Sequence, residues 1–292
     1  MQQDYDVGAI MGGLYGEGII ALKRAFSREF ADSLHRQCLA LYEEAAAIPG
    51  GAVPRGPNRW YVAVQPERVD GFVEIANHPW FAAVSEAVLG AGYKIVEFGF
   101  DIPFPGAADQ PWHRDFPGDT DNALGRRLSS LAFNLATVDT RPEHGPFEIA
   151  PGTQWDDISG SKDEMFPTRD KWGRYRSLAV QKLPQRGDIS ARTGLTIHRG
   201  TANASDEPRP VLIIGVVAGD VTDAEAHQLE VTGGWLEALP AVVRDHLFYR
   251  LTDRVGPLEQ RHMIEGLLDG AIHIGELCLV QTQSGLSDGD RQ

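Results

Sequence analysis

The chain has 292 residues, 42% of them hydrophobic, which is enough apolar material for a sizeable core and excludes wholesale disorder. Its net charge of −14 and pI near 5.0 oppose general binding to nucleic acid or to anionic membranes. Only two cysteines occur, Cys38 and Cys278, which excludes a disulfide framework and a thiolate metal site.

In chain order, the opening MQQDYDVGAIMGGLYGEG lacks the basic and apolar pattern of a secretory leader, and no apolar run approaches a membrane span of about 20 residues. The expectation is a cytoplasmic protein. Ser27 reads as the N-cap of a helix reaching about Ala46, with Phe30, Leu34, Cys38, Leu41 and Ala45 on one face. A second helix follows Asn77, with Pro79 near its first position and Gly90 as its stop. Between the two, NRWYVAV (58–64) reads as a strand.

From about Tyr93 the pattern changes. KIVEFGFDI, LSSLAFNLATV, PFEIAP, SLAVQKL, GDISART and PVLIIGVVAG are short runs rich in β-branched and aromatic residues, separated by Gly, Pro and Asp. Many short strands with turn signals predict a sandwich or barrel. Residues 160–176 break this pattern and read as a long loop or lid. Beyond Asp220, helical patterns return in LPAVVRDHLFYRL and PLEQRHMIEGLLDG, and the closing QTQSGLSDGDRQ is polar and loose. No repeat or linker divides the chain. The expectation is therefore one mainly β domain with flanking helices: a helical part over about 1–92, a β core over about 93–220, a helical part over about 221–280 and a tail over about 281–292.

The chemistry concentrates in two segments. In Gln110-Pro-Trp-His-Arg-Asp115, an extended backbone puts His113 and Asp115 on one face, aiming an imidazole and a carboxylate at one point. One further imidazole would complete a two-histidine, one-carboxylate set, which leaves open positions on a metal ion. The second segment runs from Gly187-Asp188 to Arg209-Pro. Its Gly-Asp turn starts a strand with His198 at the far end, and Arg209 opens the next apolar strand. An arginine entering a buried strand calls for an anionic partner, and a guanidinium forks onto a carboxylate.

These residues resemble the phytanoyl-CoA dioxygenase family of iron- and 2-oxoglutarate-dependent oxygenases. The matching stretches are Gln110–Asp115, Gly145-Pro-Phe-Glu-Ile-Ala-Pro-Gly-Thr153, Gly187-Asp188, and His198 with Asn203 and Arg209 after it, in order within roughly residues 15–250. The resemblance implies a double-stranded β-helix, a jelly-roll or cupin-like barrel. It implies Fe(II) held by His113, Asp115 and His198, with 2-oxoglutarate as cosubstrate and O2 as oxidant. Arg209 would bind the distal carboxylate, and Gln110, Thr196 or Asn203 would bond the cosubstrate or organise its pocket. Where the family often has Pro-Gly-Ser-His, this chain has Pro151-Gly-Thr-Gln154, a departure in a scaffold loop. The carboxylate at Asp115 favours hydroxylation over halogenation.

The expected substrate is a small molecule of specialised metabolism, turned over by a monomer or homodimer without nucleic acid or membrane. Trp60, Phe104 and Trp112 are candidate pocket walls. In the lid, Lys162, Arg169, Lys171, Arg174 and Arg176 interleave with Phe166, Trp172 and Tyr175, a mixture able to clamp an anionic or aromatic ligand. Of these, Trp172 and Arg174 are the substrate candidates; a solvated loop is the alternative. Two other readings fit the residue pattern: a cupin-like metal-dependent isomerase or hydrolase without 2-oxoglutarate, and a non-catalytic barrel binding protein.

Overall fold

In the computed structural model, which describes residues 5–115, 125–158, 165–221, 229–256 and 258, the outer layer is helical and its ends follow local chemistry. After helix α1 (Val7–Gly16) and strand β1 (Ile19–Leu22), helix α2 spans Arg28–Ala46. The Ser27 side chain accepts from the Phe30 N–H, satisfying a donor that the first turn leaves without a partner. Ala31, Leu34, Cys38, Leu41 and Ala45 form its buried stripe. Burial pushes the Cys38 thiol up to about 12, so it behaves as an apolar core group. Strands β2 (Val53–Pro54) and β3 (Arg59–Ala63) precede the short helix α3 (Phe72–Ala76) and helix α4 (Pro79–Leu89). The cap of α4 is His78, Pro79 opens the helix as expected, and Gly90 ends it with φ of 86°.

The β core follows as β4 (Lys94–Pro103), β5 (Ser130–Ala136), β6 (Phe147–Ile149), β7 (Val180–Lys182), β8 (Ile189–Thr193), β9 (His198–Gly200) and β10 (Val211–Val217). Seven strands form one antiparallel sheet in the order β1-β8-β5-β10-β4-β3-β2, and a second sheet has the order β7-β6-β9. This is the mainly β, double-stranded β-helix arrangement with flanking helices. Period-two alternation divides the large sheet. Phe98, Phe100, Ile102, Phe133, Leu135, Leu212 and Ile214 point to the helices and join one core, with Phe81 and Phe133 rings 4.1 Å apart. Each such aromatic stabilises the fold by about 1.5–3 kcal/mol through burial. The opposite face, carrying Asn134, Ser190, Arg192, Ile213 and Asp101, lines a cavity of about 790 Å³.

Three expectations need correction. GDISART does not run on to His198: β8 ends at Thr193, and the chain turns a corner before β9 starts in the other sheet at His198. Within 160–176, the described residues 165–176 are not all loop; helix α5 (Trp172–Leu178) buries Tyr175 against Trp112, ring centroids 6.1 Å apart. LPAVVRDHLFYRL is not one helix. The chain instead forms β11 (Leu229–Thr232), helices α6 (Gly233–Ala238) and α7 (Ala241–Arg244), and β12 (Tyr249–Thr252), with β11 and β12 parallel. Tertiary bonds override the helical period there: the Ile95 N–H donates to the His246 carbonyl at 2.7 Å, and the His246 ring stacks on Tyr93 at 3.7 Å. Apart from Leu258, PLEQRHMIEGLLDG and the tail lie outside the described residues. Among the described residues, no helix is long and apolar enough to cross a membrane.

Candidate metal centre

The second sheet brings two segments side by side. The His113 N–H donates to the His198 carbonyl at 3.0 Å, and the His198 N–H donates back to the His113 carbonyl at 2.8 Å. Paired directly opposite, the two residues project their side chains on one face, and the rings lie 4.4 Å apart. Asp115, two positions on, shares that face, and its N–H is fixed by the Gly194 carbonyl at 2.9 Å. One ligand atom from each of His113, Asp115 and His198 lies within 4.8 Å of the others.

Second contacts fix the protonation of this set. His113 Nδ1 lies 2.8 Å from the Pro111 carbonyl and His198 Nδ1 lies 2.8 Å from the Thr196 carbonyl. A carbonyl only accepts, so each Nδ1 carries the proton and each Nε2 keeps its lone pair. Burial and then the neighbouring His198 push His113 down to about 3. His198 is also lowered, by burial and then by Arg192. Burial opposes ionisation of Asp115, but Arg192 and the two histidines outweigh it and hold the carboxyl well below the usual carboxylate range. The Arg192 guanidinium donates to Asp115 Oδ2, and His198 Nε2 lies 3.3 Å from Asp115 Oδ1. Two neutral imidazoles and an ionised carboxylate fit a divalent transition metal with room for further ligands.

The three residues line the cavity together with Gln110 and Arg209. Gln110 clamps β9: its N–H donates to the Gly200 carbonyl at 2.8 Å and its Oε1 accepts from the Gly200 N–H at 2.9 Å. Arg209 is 5% exposed and donates to the carbonyls of His144 at 3.1 Å and Gly145 at 2.8 Å. Beside it Arg59, also buried, pairs with Asp101 at 2.8 Å. Burial and then Arg59 push the Arg209 guanidinium down to about 10, against the pull of Asp101. Two buried guanidiniums thus share one carboxylate, and the excess positive charge at this end of the cavity suits an anion.

Other expected site residues lie elsewhere. Thr196 ties the corner between β8 and β9: its Oγ1 lies 2.8 Å from Thr193 Oγ1 and donates to the Gly18 carbonyl at 3.4 Å. Asn203 is a turn residue whose Nδ2 donates to the carbonyls of Pro103 and Glu207 and whose Oδ1 accepts from Ser205. Trp60 and Phe104 pack on Tyr42, outside the cavity lining. Trp112 is fully buried under Arg199, Trp172 donates to the Pro167 carbonyl, and Arg174 pairs with Asp156 on the surface. None of these seven residues is among the described residues that line the cavity. Sequence reasoning missed Arg192, Arg59 and Asp101. The signal was present as charged residues on one face of strands whose other face is mainly apolar.

A sequence model described as phytanoyl-CoA dioxygenase (PhyH) matches residues 15–211. Among solved structures, the fold is similar to the epimerase SnoN in complex with Fe3+, alpha ketoglutarate and nogalamycin RO. That likeness has a TM-score of 0.60 and 18% identity, over 76% of this chain and 85% of that one. It is similar to EctD from S. alaskensis with 2-oxoglutarate and 5-hydroxyectoine, with TM-score 0.59, 15% identity, and 88% of each chain covered. A third likeness is to HygX from Streptomyces hygroscopicus with nickel and 2-oxoglutarate bound, with TM-score 0.56, 14% identity, and 78% of this chain and 91% of that one covered. At such identities the likeness speaks for the fold.

Proposed function

The chain belongs to the phytanoyl-CoA dioxygenase family of non-haem iron, 2-oxoglutarate-dependent enzymes, and from that premise we propose that it hydroxylates a small molecule of specialised metabolism, using iron held by His113, Asp115 and His198. The observation that carries this reading is the convergence of those three ligand atoms within 4.8 Å in a cavity that also exposes Arg209. When bound, iron and 2-oxoglutarate supply oxidation of an unactivated C–H bond, coupled to decarboxylation of the cosubstrate to succinate and CO2.

The chain's own groups do the rest. His113 and His198 offer Nε2 lone pairs because their Nδ1 protons are held by backbone carbonyls. Asp115 stays ionised under Arg192 and fills the position a halide would need, which supports hydroxylation over halogenation. Arg209 receives the distal carboxylate of 2-oxoglutarate, supported by the positive excess that Arg59 adds. Gln110 holds β9, and with it His198, in register. The net charge of −14 opposes polyanionic substrates, in keeping with a small molecule met in the cytoplasm.

His113→Ala and Asp115→Ala test the assignment. Each is expected to abolish Fe(II)-dependent consumption of 2-oxoglutarate while circular dichroism shows the fold retained; Asp115→Ala, which leaves the buried Arg192 without its partner, is also expected to lower the melting transition. Activity retained in either variant removes the triad.

A further inference from the structure

The inner face of the large sheet carries a row that strand register defines: Ile19, Arg192, Ala132, Gly215 and Glu97 stand side by side. Near one end Arg192 holds Asp115. Three strand spacings away, on the order of 14 Å along the sheet, stands Glu97. Between them only Ala132 and Gly215 project, so the cavity floor is open. The space is used tightly at its end: a Cβ at Gly215 would lie 2.8 Å from Glu97 Cβ and 2.9 Å from its Oε2. In the neighbouring row, a Cβ at Gly99 would lie 2.6 Å from the Tyr61 hydroxyl.

These two glycines make room for a polar pair. The Tyr61 hydroxyl donates to Glu97 Oε1 at 2.5 Å, and both residues line the cavity. Tyr61 is 5% exposed, so its phenol is a fixed post and not a mobile surface group. The Arg55 guanidinium sits over the Tyr61 ring, 4.8 Å from its centroid, and makes no ion pair with Glu97. Among the described residues, Glu97 has no cationic partner within ion-pair distance. A carboxylate in a cavity wall, locked at one oxygen and with the other lying over a glycine, is pre-organised to accept from a ligand.

We propose that Glu97, oriented by Tyr61, is the substrate-recognition residue and that it binds a protonated amine of the substrate while the carbon to be oxidised reaches toward His113, Asp115 and His198. A neutral hydroxyl would give one charge-assisted bond, whereas an ammonium gives that bond and also the missing counter-charge. The inference rests on the oxygenase reading of the site and adds to it a substrate class: an amine-bearing small molecule.

The test uses wild-type protein loaded anaerobically with Fe(II) and 2-oxoglutarate and titrated with short linear primary amines and the matching alcohols and carboxylates, with binding read by calorimetry. The amines are expected to bind about ten- to a hundredfold tighter than the alcohols, and the carboxylates more weakly still. Glu97→Gln is expected to remove the preference, and Tyr61→Phe to reduce it. Equal affinity for amine and alcohol, binding of neither at millimolar concentration, or a preference that survives in Glu97→Gln overturns the inference. If the variants do not fold, the wild-type ratio decides alone. The visible band of the iron–2-oxoglutarate chelate, recorded in the same sample, separates the two readings. A band without amine preference sinks only the role of Glu97, and no band sinks the oxygenase centre on which it rests.

Discussion

Arg192 is buried and paired: it orients Asp115 and lowers the proton affinity of that carboxylate and of His198. Arg192→Gln should therefore release the Asp115 rotamer and weaken Fe(II) affinity about 10- to 100-fold, measured by anaerobic calorimetry. An unchanged or higher affinity would mean that charge repulsion between Arg192 and the metal outweighs orientation. Arg209→Ala should raise the apparent requirement for 2-oxoglutarate by about 30-fold or more with a much smaller effect on that for iron. Equal effects on both would remove its carboxylate role. At this scale the sequence was partly legible. The i, i+2 spacing of His113 and Asp115 specifies one face, and an arginine at the mouth of the apolar run 211–217 signals an anion. For Thr196 and Asn203 the sequence leaves open whether they bond a cosubstrate or organise its surroundings, because a hydroxyl or amide near a functional histidine looks the same whether it faces a cavity or closes a turn; the bonds they make here are those of a corner and a turn. Arg59 and Glu97 were not singled out, because alternation tells which residues share a face but not which face is hollow.

Glycines at the joints between elements divide into those that fold the chain and those that do not. Gly187 has φ of +88°, and a Cβ there would lie 2.3 Å from the Phe26 carbonyl oxygen, where β8 begins against the β1–α2 turn. Gly187→Ala is expected to destabilise the protein by about 1–3 kcal/mol from the backbone alone, with more from the clash. Gly173, in helix α5, has nothing within 4 Å of its Cβ position. Gly173→Ala is expected to stabilise by about 0.4–1 kcal/mol. Denaturant titration of both variants checks the pair, and the same sign for both would contradict it. Helix α2, its Ser27 cap and the strands of the β core were legible, because caps and period-two runs are local signals. The end of β8 was not, because Thr193, Gly194 and Leu195 continue a strand-like run while the turn there depends on Thr196 and Gly18 from outside it. β11 and β12 were hidden for a related reason: their pairing and the bonds of His246 to β4 are long-range.

At the scale of the whole molecule, four of the described histidines, His35, His78, His113 and His198, are held below their ordinary proton affinity, each first of all by burial. The unfolded chain takes up these protons near pH 6.5, whereas folded His113 resists down to about 3. The stability they contribute is therefore complete above about pH 6.5 and declines as the pH falls, by about 1.4 kcal/mol per unit for each fully responding buried group. Asp115, also lowered in the fold, withdraws its contribution in the same direction once the pH passes below the ordinary carboxylate range. The denaturation midpoint of metal-free protein should fall between pH 7 and pH 5; a flat profile would contradict the neutral, buried histidines. The same neutral imidazoles and ionised carboxylate are what a metal ion requires, so fold stability and metal affinity should weaken together in acid. The most direct test of the centre is anaerobic titration of the metal-free protein with Fe(II) and then 2-oxoglutarate, followed through the weak visible charge-transfer band of their chelate. The account predicts a band that appears only when both are present and is lost in His113→Ala. Folded protein that binds Fe(II) at this cluster yet shows no band with 2-oxoglutarate would contradict it, and would point instead to a metal enzyme that does not use this cosubstrate.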